Sequence, residues 1–132
     1  MNADMIARIR LAVFALAGLV SASYSIMAIA TNTPSPMSPW LPGVCGVAAG
    51  IVVWLSARLA GRRNACIAHD ELYKLEWAKA VRRSYWFAIS LYPIFAILMA
   101  LDVVTPITAF AAMGTAAGSA PLLIFCMINV RG

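Results

Sequence analysis

"HDELYKLEWAKAVRRSYW", residues 69–86, contains seven of the fifteen Asp, Glu, Lys and Arg residues in a 132-residue chain. The sequence on either side of it is almost uniformly apolar. Overall 63% of residues are hydrophobic and only 11% are charged. A soluble domain carries about 25% charged residues. A chain of this length has too small an interior to hide so much apolar surface, so the composition places it in a membrane. The charged stretch is then a link between spans rather than the surface of a soluble domain.

Working outward from that link, four stretches approach the roughly 20 apolar residues that a spanning helix needs. They are 11–30, 41–59, 84–101 and 106–130. The expected fold is all-α: a single integral membrane domain, residues 1–132, built as a four-helix bundle. An amphipathic helix over about 70–83 runs directly into the third span, because no Pro or Gly occurs from Asp70 to Tyr92 and Asp70 can cap its start. "MAIA" before Thr31 resembles a signal-peptidase site. The apolar run ahead of it, about 20 residues, exceeds the 7–15 of a signal peptide, so it is read as a retained span.

The basic residues orient these spans. Arg8 and Arg10 precede the first span, and Arg131 follows the fourth. Arg58, Arg62, Arg63, Lys74, Lys79, Arg82 and Arg83 lie between the second and third. With four spans all ten fall on one side, and by the positive-inside rule both termini and the middle link are cytoplasmic. The net charge of +5 needs no nucleic-acid partner to explain it. The aromatics agree with this placement. Trp40 stands at the outer start of span two, and Tyr85 and Trp86 follow Arg82 and Arg83 at the inner start of span three, as in aromatic belts at headgroup depth. The expected location is the inner (plasma) membrane of a bacterium, crossed several times.

Two G-x-x-x-G patterns occur, Gly46 to Gly50 and Gly114 to Gly118. Small residues four apart clear a flat strip on which another helix can pack closely. They are read first as packing positions within the bundle and second as a homo-oligomer or partner interface. Gly18 with Ala22 is a weaker version. Pro93 and Pro121 interrupt the third and fourth spans, and each deprives the carbonyl four residues back of its donor. Ser90, Tyr92, Thr115 and Ser119 are candidates to satisfy those carbonyls. Asp102 is read as a turn residue, and Thr105 as the cap of a helix opening at Pro106.

On a helical wheel Tyr73, Trp77, Ala80, Val81 and Ser84 share one side of the amphipathic helix. This side is expected to meet the bilayer or the bundle. Leu72 and Leu75 fall in the charged sector beside Glu76 and Lys79, and are the candidate contact for a protein partner.

Enzymatic chemistry has little to work with. No charged residue lies mid-span, His69 is the sole histidine, and Cys45, Cys66 and Cys126 lack metal-ligand spacing, while their odd number argues against a disulfide framework. No cofactor, metal or catalytic residue is expected. Small four-span multidrug exporters carry an acid in the first span, and 11–30 has none. The run from "DEL" through "RRSYW" into an apolar span, covering Asp70 to Leu101, resembles small uncharacterised bacterial inner-membrane proteins with four spans, and the resemblance implies no activity. The functional expectation is an accessory or regulatory membrane protein in contact with lipid and with a protein partner or a second copy. The alternative is a small oligomeric transporter or channel.

Overall fold

The computed structural model describes residues 3–68 and 70–131. His69 lies outside the described residues. Five α-helices occur among them: α1 (Ala3–Thr31), α2 (Leu41–Leu59), α3 (Gly61–Ala68), α4 (Glu71–Ala100) and α5 (Pro106–Arg131). Four of these, all but α3, are long and apolar enough to cross a membrane.

Local chemistry explains the helix ends. The Asp70 side chain accepts from the Tyr73 N–H at 3.0 Å and so caps α4. The Thr108 N–H donates to Thr105 Oγ1 at 3.4 Å, and the two threonine hydroxyls are 2.9 Å apart. At the C-termini of α1 and α4 the chain turns through a left-handed residue, Asn32 (φ 47°) and Asp102 (φ 55°). In each case two amides close back on the last turn. Thr33 N–H bonds the Ala28 carbonyl and Asn32 N–H that of Ile29, while Val103 N–H bonds Leu98 and Asp102 N–H bonds Met99. Asn and Asp tolerate this conformation better than most residues with a side chain. Asp102 is therefore a helix terminator. Asn32 does a second job, since its Oδ1 accepts the Thr105 N–H at 3.0 Å and ties the two turns together.

α3 goes beyond the sequence expectation, which placed no helix between Arg58 and Asp70. Gly61 turns the chain at φ +80°, and the Asn64 side-chain amide donates to the Ala60 carbonyl at 3.1 Å. The short helix then packs on α1 and α2.

The spans are packed together as a row bent so that side chains of α1 and α4 also meet, with α2 at one end of it. Extensive contacts join α2 to α1, α1 to α5, and α5 to α4. In water a four-helix bundle closes to hide apolar faces. In lipid that drive is missing, so α2 can rest against α1 and the short α3 and leave Val47, Ile51 and Trp54 outward. Only Ala49 and Ser56 of α2 are buried.

The core lies between α1, α4 and α5, where Ala28, Leu91, Phe95, Val104, Ala109 and Ala112 form one cluster. Its alanines let the backbones approach, as dispersion-driven packing in lipid requires. Between the C-terminal third of α1 and the first two turns of α5, the buried Ser25 hydroxyl donates to the Ala112 carbonyl at 2.9 Å. Ser25→Ala should lower stability by about 0.6 kcal/mol, the usual value of such a bond in a membrane protein. An unfolding titration in mixed micelles would measure this, and an unchanged midpoint would exclude a contribution from the bond.

The proline carbonyls are not served as the sequence suggested. Ser90 Oγ donates to Phe87 O at 2.7 Å and Ser119 Oγ to Ala116 O at 2.9 Å, while Thr115 bonds Ala111 and Ala112. Helical hydroxyls reach back three or four residues. Only positions 92 and 93 could serve Ile89, and only 120 and 121 could serve Ala117. Those positions hold Tyr, Pro, Ala and Pro. The phenol of Tyr92 is carried too far from the backbone, and the other three side chains have no hydroxyl.

Candidate functional site

The end of the row that carries the N-terminus of α1, the start of α4 and the C-terminal turns of α5 holds most of the polar chemistry. Phe125 is the hub. Its ring lies 5.8 Å from Phe14, 5.6 Å from Tyr73 and 5.6 Å from Trp77, each edge to face, and Phe14 lies 5.7 Å from Trp77. Edge-to-face aromatic pairs each add about 1 kcal/mol beyond their buried area. The Tyr73–Trp77 side of α4 therefore faces the other helices rather than the lipid. It docks the first three turns of α4 against α1 and α5.

Arg10 closes this cluster. It is 5% exposed, and its guanidinium carbon stands 3.8 Å from the centre of the Tyr73 ring and 5.7 Å from that of Phe125. In the sequence Arg10 is one of ten basic residues and serves only to orient the chain. The missed signal is local: Arg10, Phe14 and Ala17 lie one helical turn apart on a single face. A cation held over an aromatic ring away from water contributes up to about 2 kcal/mol. Arg10→Met, which keeps the length of the stem, is expected to lose about 1–2 kcal/mol in the same micelle titration. A variant as stable as the parent would show that only the stem matters.

The opposite side of α4 is open. Leu72 and Leu75 are 62% and 58% exposed, and Lys79, Arg82 and Arg83 are exposed beside them. Among the described residues no carboxylate forms an ion pair with these three cations. Tyr85 and Trp86 are also exposed, with their rings 5.7 Å apart edge to face. Trp40 is 78% exposed at the start of α2, at the other end of the row, where the residue after next, Pro42, lies in the first turn.

The four motif glycines make no close approach inside the chain. A Cβ added to Gly46, Gly50, Gly114 or Gly118 would meet nothing within 4 Å. Gly18 is the glycine that packs, since a Cβ there would stand 2.8 Å from Leu123 Cδ2 and 2.9 Å from its Cγ. Motif spacing reveals that a strip is flat. It does not reveal which strip another helix covers.

Two apolar grooves flank α5. One, of about 770 Å³, opens between α4 and α5 and is lined by Tyr92, Pro93, Met99, Pro106, Phe110 and Gly114, among others. The second, of about 410 Å³, touches Ser25 and Ser119, whose hydroxyls already donate to backbone carbonyls. Among the described residues no three of His, Cys, Asp and Glu come together as metal ligands, and the three cysteines are unbridged.

The class defined by these features is a multi-pass helical membrane protein whose charge and aromatic residues concentrate at one end. Comparison with protein-family models, curated proteins and solved structures finds no match for the chain. The resemblance of Asp70–Leu101 to small four-span membrane proteins thus stands on those local residues alone and carries no function.

Proposed function

We propose that the chain is a non-enzymatic accessory or regulatory protein of a bacterial inner membrane. Both termini and the α3–α4 segment are cytoplasmic, and the outward face of α4 engages a protein partner. One observation carries this reading: the aromatic side of α4 is consumed by its docking, yet Leu72 and Leu75 stand uncovered beside it. The orientation rests on the one-sided distribution of Lys and Arg. Reporter fusions at Pro36 test it, and a cytoplasmic signal there would overturn it. The partner surface is tested by co-purification in mild detergent. Replacing Leu72 and Leu75 with Asp should deplete a specific companion protein, and an unchanged set of companions would remove Leu72 and Leu75 as the contact.

A second reading, a small oligomeric transporter or channel, draws on the groove beside Pro93 and on the open glycine strips at Gly46/Gly50 and Gly114/Gly118, which a second copy could cover. The grooves are apolar, and their serine hydroxyls are engaged with backbone, which favours lipid chains over a hydrated solute. Specific solute flux in proteoliposomes would sink the accessory reading.

A further inference from the structure

The outward face of α4 carries a spacing that partner contact at Leu72 and Leu75 does not use. Leu72, Leu75, Lys79, Arg82 and Trp86 follow one another at intervals of three and four, so they form one stripe, and Arg83 flanks it. Every one of these residues is exposed. The stripe lies opposite the buried line Ala80, Ser84, Leu91 and Phe95.

The length of α4 sets the depth of this stripe. Its 30 residues span about 45 Å, close to the full thickness of a bilayer with both headgroup layers. Arg83 lies 18 residues before Leu101, or about 27 Å of helix, near the thickness of the hydrocarbon alone. Arg82 and Arg83 therefore stand at the inner edge of the hydrocarbon. Lys79 lies one turn further out, in the headgroup layer, and Trp86 one turn deeper. Docking at the aromatic cluster holds the segment at this depth alongside α1 and α5, so it does not swing free into water.

We infer that Lys79, Arg82 and Arg83 form a binding site for the phosphate headgroup of an anionic phospholipid, whose chain lies over Trp86 toward Pro93. The inference rests on the membrane placement proposed above and not on the protein partner. Charge selects the ligand. Three exposed cations without ion-pair partners among the described residues bracket the depth of lipid phosphates, and Arg presents a planar fork to phosphate oxygens. Arg side chains also snorkel in the required direction, with their stems along apolar surface. A zwitterionic lipid offers the same phosphate but adds its own cation, which these residues repel.

The test is native mass spectrometry of the full chain in mild detergent with equal amounts of phosphatidylglycerol and phosphatidylcholine. The wild type should retain phosphatidylglycerol in preference. Changing Lys79, Arg82 and Arg83 together to Gln should reduce that preference by about fivefold per cation removed. A control, R58Q/R63Q/K74Q, removes the same charge from exposed positions at the same end of the chain and should lose much less of the preference than the first variant. No preference in the wild type, no loss in the first variant, or equal loss in both would overturn the site. Partner capture through Leu72 and Leu75 is read separately by co-purification, so either proposal can fail alone.

Discussion

Phe125→Ala is expected to be the most damaging single truncation, lowering stability by about 3 kcal/mol or more. The side chain is 1% exposed and meets Phe14, Tyr73 and Trp77, so its loss leaves a cavity bordered by three separate helices. The loss should appear as an earlier unfolding midpoint in mixed micelles. It should be accompanied by faster protease cleavage between Glu71 and Arg83, since that segment is docked by the same rings. Phe110 is the control. It is 83% exposed, and Phe110→Ala should fall within about 0.5 kcal/mol of the parent. Equal effects at the two positions would show that the aromatic hub does not hold α4 in place.

Gly18→Ile should cost about 2 kcal/mol by overpacking. Even a single added carbon at Gly18 stands 2.8 Å from Leu123 Cδ2, and Leu122 Cβ lies 3.4 Å away, so α1 and α5 must separate or Leu123 must turn out of its place. The companion change Leu123→Ala makes room, and the double variant should recover part of the loss. Gly46→Ile and Gly114→Ile serve as contrasts, since nothing lies within 4 Å of either position in the chain. Their monomer stability should be close to that of the parent. If either strip joins two copies, the bulky side chain should instead abolish the dimer on size-exclusion chromatography. A loss of monomer stability at Gly46 equal to that at Gly18 would contradict the packing described here.

These glycines show where sequence reading reached its limit. Gly46/Gly50 and Gly114/Gly118 match the full pairing motif and Gly18 with Ala22 only its weaker version, yet Gly18 has the close neighbour. The motif is a property of one helix surface, and coverage is a property of two. Arg10 illustrates the same limit in electrostatics. As one of ten basic residues it contributes to a one-sided count, and nothing in that count separates a buried guanidinium from a solvated one. The caps were legible because they are local. Asp70 reaches an amide three residues on, and Thr105 does the same. The hydroxyls near Pro93 and Pro121 miss the freed carbonyls for an equally local reason: their reach runs backward along the helix.

Composition and apolar run length by themselves determined that this chain is helical and has four helices long and apolar enough to cross a membrane, because a bilayer satisfies no exposed backbone and accepts only long apolar helices. They also marked α4 as the helix with two unlike sides. Only the tertiary structure decided that the spans form a row, that Phe125 and Arg10 pin the Tyr73–Trp77 side, and that Gly18 is the point of closest approach. The reason is physical. Insertion depends on the transfer of each segment from water, which is a sum over its own residues. Helix pairing in lipid depends on shape and on a few polar and aromatic contacts between residues as far apart in the chain as Arg10 and Phe125.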